Sequence, residues 1–347
     1  MFTINQSLEK ETYELLNDNT IYQNQWCGAI AIDENYNLLF VGHKFAIKVF
    51  ELKNGALKQL NLLLNHSDYV TSLNLLQKKS YILSGSHDKQ IVVMCTQLMS
   101  NPKYIKKLKG HKDTINCILP HPINEEMFIS SSKDCKIKFW TFSSKHSRNH
   151  CYQTITEHKK SVMKLSINQQ GNTLISLGMD KLILVLTQLE FFWVVKQKIY
   201  LNKLGPNICF ITNEMFIFQP YQFFSEKHRS ENIWIYAQDK KNQKYYSFQK
   251  DIQISDNTQN CIGSFPFFYN HQKRLLIFQN GNSLKIIKFQ NLDQGVFNIE
   301  QIIIFSNKIQ NNPLSFISGA ISNDWKYLVT WDKTSFLLQV RKYVGIE

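Results

Sequence analysis

Histidine is the side chain best suited to moving protons near neutral pH. It stands at 66, 111 and 158, and aspartates follow at 88, 134 and 180. A second cluster, His146, His150, Cys151 and His158 within KHSRNHCYQTITEH, contains an HxxxH spacing with a thiol beside it. That is a beginning of zinc chemistry, but a structural zinc site wants a second ligand pair and the chain has no CxxC to offer one. A third group is cationic: KYIKKLKGHK over Lys103–Lys112, with Lys136 and Lys138 beyond it. Charges of this kind can meet phosphate, with an affinity that falls steeply as salt rises. No GxSxG, no HExxH and no phosphate-cradling glycine sequence occurs, and the carboxylates fall mostly in turn positions. Neither a hydrolase nor a kinase has a residue constellation to stand on. No catalytic residue, no metal and no cofactor is expected.

The spacing of these residues points elsewhere. The aspartates lie 46 and 46 residues apart, and the histidines 45 and 47. Two markers keeping step across three repeats describe one structural unit used repeatedly. Its clearest copy is Gly110–Trp140, GHKDTINCILPHPINEEMFISSSKDCKIKFW. Apolar alternation over Ile115–Leu119, Met127–Ser130 and Ile137–Trp140 predicts three short half-buried strands joined by polar turns. Such a unit cannot bury both faces alone, so its copies must stack.

This pattern resembles a WD40 repeat, one blade of a β-propeller. The resemblance implies a hydrogen-bonded chain of His111, Ser130, Asp134 and Trp140. It implies the same for His66, Ser84 and Asp88, with Met94 at the tryptophan position, and for His158, Ser176 and Asp180, with Leu186 there. On this reading each histidine is a satisfied structural residue and not a catalyst. The motif is specific over residues 60–190. Elsewhere only the strand rhythm persists, with a first repeat from Trp26 and three more after residue 190. The fold expected is all-β, a seven-bladed WD40-type β-propeller. Residues 1–20 are expected to form an N-terminal segment and 21–347 a single propeller domain. The C-terminus stops at a third-strand position (336–343), so Glu11–Leu16 is expected to supply the missing outer strand and cover a sheet edge.

Composition sets the outer limits. The 347 residues are 43% hydrophobic and 13% aromatic, which suits a packed β fold. The formal charge of +13 is carried by scattered lysines and is read as a solvated face, with outer-strand lysines guarding sheet edges. Seven cysteines (27, 95, 117, 135, 151, 209 and 261), odd in number, predict reduced core residues in a cytoplasmic or nuclear compartment. No secretory signal and no apolar run of membrane-spanning length is visible.

The most unusual loop is QPYQFFSEKHRSEN, Gln219–Asn232, where other repeats have a tight turn. Tyr221, Phe223 and Phe224 beside His228 and Arg229 have the composition of a binding hot spot, though the aromatics could equally fold back over their blade. Trp26 and Tyr69 are expected to share that face. The protein is therefore expected to be a non-catalytic scaffold for a protein or peptide partner, a monomeric ring within a complex, bound neither to membrane nor to nucleic acid. Two alternatives stand beside this. An undecorated ring of this length is similar to the propeller that targets cytosolic iron–sulfur assembly, and the positive charge suits a nucleic-acid- or chromatin-associated propeller.

Overall fold

The computed structural model describes residues 11–16, 19–33, 37–76, 78–98, 104–142, 150–221, 232–253, 265–292, 295–305 and 316–345, with backbone alone at 104–105, 232 and 248–253. Seven antiparallel sheets follow one another around a ring. Blade 1 is Ile30–Asp33, Leu38–His43, Ala46–Lys53 and Ala56–Leu63, from the axis outward. Blade 2 is Val70–Leu76, Tyr81–Ser86, Gln90–Cys95 and Tyr104–Lys109; blade 3 is Ile115–Pro120, Met127–Ser132, Ile137–Thr141 and Cys151–Ile155. Blade 4 is Val162–Ile167, Thr173–Gly178, Leu182–Leu189 and Phe192–Tyr200; blade 5 is Asn207–Phe210, Met215–Gln219, Asn232–Gln238 and Tyr245–Gln253. Blade 6 is Phe268–Asn270, Leu275–Asn280, Ser283–Asn291 and Val296–Ile304.

Blade 7 is assembled from both ends of the chain. Ile317–Ile321, Tyr327–Asp332 and Leu337–Val344 come from the last residues, and Thr12–Leu15 pairs antiparallel along Leu337–Val344 as the outer strand. A second short strand, Ile21–Tyr22, pairs with Leu337 and Leu338 further along the same edge. The expected closure by an N-terminal strand is therefore present. Residues 261–264, where the sixth inner strand was expected to begin, lie outside the described residues; that strand is Phe268–Asn270.

The sequence pattern follows from burial. Each second strand is sandwiched between neighbouring blades on both faces, so Leu38–Val41 and Leu275–Asn280 are buried at every position and show no alternation. Outer strands face solvent on one side, and Phe192–Tyr200 alternates between exposed and covered residues. Seven apolar clusters fill the seven gaps between successive blades. One joins blade 7 (Trp331, Leu338, Val340) to blade 1 (Leu39, Val41, Phe50), so the ring is sealed by packing as well as by strand pairing.

The outer strands carry a device that periodicity did not show. In all six that follow their own third strand the pairing register slips. In three of them a glutamine stands at the slip and grips the outer strand of the next blade. Gln153 donates to Trp193 O at 2.6 Å and accepts from its N–H at 2.8 Å. Gln197 does the same with Tyr245 at 2.8 and 2.7 Å, and Gln301 with Tyr13 at 3.0 and 2.7 Å. The three aromatics so held are all buried.

Because successive strands reverse direction, the turns of every blade fall on two faces. One face carries the turns between second and third strands together with the crossings from each outer strand to the next inner strand. The candidate functional residues converge on this face.

Candidate interaction face

In blades 2, 3 and 4 the crossing loop and the turn beside it are tied by the same set of bonds. His111 Nδ1 lies 2.9 Å from Asp134 Oδ2 and its Nε2 lies 2.7 Å from Ser130 Oγ, while Trp140 Nε1 donates to Ser130 Oγ at 2.8 Å. The directions agree along the chain: indole N–H to hydroxyl, hydroxyl to Nε2, Nδ1–H to carboxylate. His66 meets Asp88 and Ser84 at 2.8 Å each. His158 meets Asp180 at 3.0 and 3.1 Å and Ser176 at 2.9 Å. Met94 and Leu186, which have no N–H to give, stand where Trp140 stands.

Each carboxylate also collects backbone N–H groups. Asp134 accepts from Lys112 at 2.8 Å and Lys136 at 3.1 Å; Asp88 accepts from Ser67 at 3.1 Å and Gln90 at 2.9 Å; Asp180 accepts from Lys159 at 2.8 Å. Burial alone would raise the Asp134 carboxyl, but the His111 hydrogen bond and these N–H groups outweigh it and hold it down at about 2. Asp88 is likewise held below its usual range. Burial pushes His158 down, against the pull of Asp180. The residue after each aspartate (Lys89, Cys135, Lys181) takes a left-handed backbone, with φ of 69°, 67° and 59°. The carboxylate is what holds so unfavourable a turn in blades 2 and 3, by capping the N–H that follows it.

Serine, histidine and aspartate in this order are the components of a nucleophilic triad. Here Ser84, Ser130 and Ser176 are each 0% exposed, so no substrate reaches the hydroxyl. The arrangement fixes the loops in place.

The other expected residues are placed as follows. Trp26 is half-buried, 4.0 Å from the Phe316 ring and 6.1 Å from Trp331, with the Lys333 ammonium over it. Tyr69 is 39% exposed, edge-on to His87 at 6.0 Å. Tyr221 is half-buried, with its N–H bonded to Leu204 O at 2.6 Å. Phe223, Phe224, His228, Arg229 and His146 lie outside the described residues. Within the suspected zinc cluster, His150 bonds Thr141 O at 3.0 Å and abuts the Lys106 ammonium, Cys151 lies 3.9 Å from Lys138 Nζ, and His158 is engaged by Asp180. Among the described residues no three metal-ligating side chains converge. Lys107 and Lys109 point outward on the blade 2 edge and Leu108 inward.

Two features escaped the sequence reading. His121, buried in a turn of the opposite face, bonds Gly171 O at 2.9 Å and receives the N–H of Asn124 at 3.0 Å, joining blade 3 to blade 4. Gly171, at φ 71°, leaves room for that ring where a Cβ would sit 2.4 Å from it. On the same opposite face a cleft of about 600 Å³ between blades 4 and 5 is lined by amides and hydroxyls, among them Gln170, Asn172, Thr173, Asn213 and Gln243.

Residues 57–93, 102–141 and 149–185 match the family model of the WD domain, G-beta repeat. Each matched stretch begins at the outer strand of one blade and ends in the third strand of the next, so the repeat in sequence is one strand out of phase with the blade in space. Among curated proteins, the chain is 30% identical over 100 residues to pre-mRNA-processing factor 19 of Bos taurus, covering 29% of this chain and 18% of that one. It is 30% identical over 80 residues to DDB1- and CUL4-associated factor 13 of Xenopus tropicalis (23% and 17%). It is 38% identical over 61 residues to the WD repeat-containing protein WDS homolog of Arabidopsis thaliana (18% and 11%). The similarity thus spans less than a fifth of each relative's length.

Proposed function

Starting from three WD40 repeats set in a seven-bladed propeller, we propose that this protein is a non-catalytic platform for a protein or peptide partner, bound on the face of the crossing loops. WD40 propellers serve generally as protein-interaction scaffolds and are typically non-catalytic. The observation that supports the reading here is the triple lock. The bonded aspartates hold the backbone at Ser67, Lys112 and Lys159, the first residues of the loops that display Asp68, Tyr69, Asp113 and Lys160. Loops already held in place lose little conformational freedom on binding, so more of the contact energy is available as affinity.

The test is affinity purification of the intact chain compared with two double variants. Tyr69→Ala/His87→Ala alters the locked face; Gln170→Ala/Gln243→Ala alters the opposite one. The reading expects partners lost with the first pair and kept with the second, at unchanged unfolding midpoints. Partners lost only with the second pair would move the binding surface to the other side of the ring and remove this proposal.

A further inference from the structure

The locked face is also sorted by charge. Three of its carboxylates are turned inward: Asp88, Asp134 and Asp180 are held by histidine and backbone N–H, with side chains only 5%, 6% and 10% exposed. Asp68 and Asp113 each accept the N–H of the following residue at 2.7 Å. The cations are turned outward. Lys89, Lys112, Lys133, Lys159, Lys160 and Lys181 are exposed on the loops and turns of blades 2, 3 and 4, and none forms an ion pair among the described residues. A partner approaching this sector meets these six exposed lysines against two exposed carboxylates, Asp68 and Glu157, the second already paired with Lys198 at 2.7 Å. Their interaction range in physiological salt is about 8 Å, enough for neighbouring lysines to act together.

At the blade 1 end of this arc stand two exposed aromatic rings, Phe45 at 47% and Tyr69 at 39%. Their loops are joined directly, Val70 N donating to Lys44 O at 2.8 Å. An apolar anchor point therefore sits beside an arc of cations on one fixed frame. The chain contains only four arginines (148, 229, 274 and 341) against 36 lysines. None of the four is on this face among the described residues: Arg274 follows the opposite turn of blade 6 and Arg341 is buried. Lysine is a point charge without arginine's planar fork, so the arc suits dispersed carboxylates better than the paired oxygens of phosphate. Two rings at one end also give no run of stacking surfaces for bases.

We infer that the partner segment is acidic: an Asp/Glu-rich peptide whose carboxylates lie over the lysines of blades 2–4 and whose apolar side chain packs on Phe45 and Tyr69. This rests on the platform reading, and the test separates the two. The full chain is titrated by fluorescence anisotropy with a labelled Asp/Glu-rich peptide carrying one Phe–Leu pair, with its Asn/Gln counterpart, and with single-stranded RNA of equal charge. The acidic peptide should bind, weakening between about 50 mM and about 300 mM salt. Lys112→Glu/Lys133→Glu/Lys159→Glu should weaken it by about tenfold or more, since like charges then face one another. Lys78→Glu/Lys240→Glu on the opposite face should leave it unchanged, and both variants should keep the parent's unfolding midpoint. Absence of acidic-peptide binding, equal binding of the neutral peptide, tighter binding of RNA, or equal losses from both sets of reversals would each overturn the inference. If cellular partners still depend on Tyr69 and His87 while the lysine reversals do nothing, the platform stands and its acidic ligand falls.

Discussion

Asp134 is small, but three donors depend on it. Replacing it with Ala leaves the His111 Nδ1–H and the N–H groups of Lys112 and Lys136 without their acceptor. The stranded imidazole alone costs about 1–3 kcal/mol. Trp140→Phe removes one hydrogen bond and preserves the stacked ring against Phe128, so it should cost about 1 kcal/mol. Urea unfolding of the two variants checks the order; a Trp140→Phe loss equal to that of Asp134→Ala would mean the indole acts mainly by filling space. Titration adds a pH dependence. Burial, with help from Lys48 and Lys44, pushes the His43 ring down to about 4, and burial also lowers His158. A ring that titrates lower folded than unfolded favours the native state above its ordinary value and loses that contribution as pH falls through the folded one. Stability should therefore decline from about pH 6.5 towards 4, and His43→Gln should flatten that part of the curve. Asp88 and Asp134 act further down: both stabilise fully above 3.8 and lose that contribution as pH falls through their lowered folded values, Asp134 as pH approaches about 2. Thermal unfolding midpoints measured across this range test both stages.

At the level of strands, the register slips turn outer edges into couplings between blades. Gln197→Ala deletes both bonds to the Tyr245 backbone, a loss of about 1–3 kcal/mol, whereas Lys196→Ala beside it should stay within about 0.5 kcal/mol. Equal effects in chemical denaturation would mean the grip contributes nothing. These couplings also mark where sequence reading stops. Blades 2–4 were legible because a buried His, Ser or Asp must be bonded, and their common spacing showed that the bonds recur. Thr12–Leu15 was legible because the last sheet lacked an edge. Blade 7 solves the same problem with different chemistry: Arg341 donates to Thr330 Oγ1 at 2.8 Å from the strand position that Trp140 holds in blade 3. No motif marks a guanidinium standing in for an indole. A glutamine at a register slip is equally silent, since its partner is backbone 40 to 288 residues away.

For the whole ring, closure concentrates dependence on one small residue set. Tyr13 is buried, its hydroxyl bonds Trp325 O at 2.9 Å and Gln301 holds its backbone. Tyr13→Ala should cost about 3–5 kcal/mol, as large aromatic truncations do. It should also expose the edge of Leu337–Val344 and promote self-association, read by light scattering during thermal unfolding. A variant that unfolds as late as the parent would show that Ile21–Tyr22 and the blade 7–blade 1 core suffice to close the ring.

The shared final sheet also imposes an order of events at the ribosome. Thr12–Leu15 is translated well before Leu337–Val344, the strand it pairs with among the described residues. At about 5–20 residues per second the early segment waits on the order of 15–70 s for that partner. Six blades can be built during that interval, and Tyr13 reaches its buried place only once the seventh is laid down.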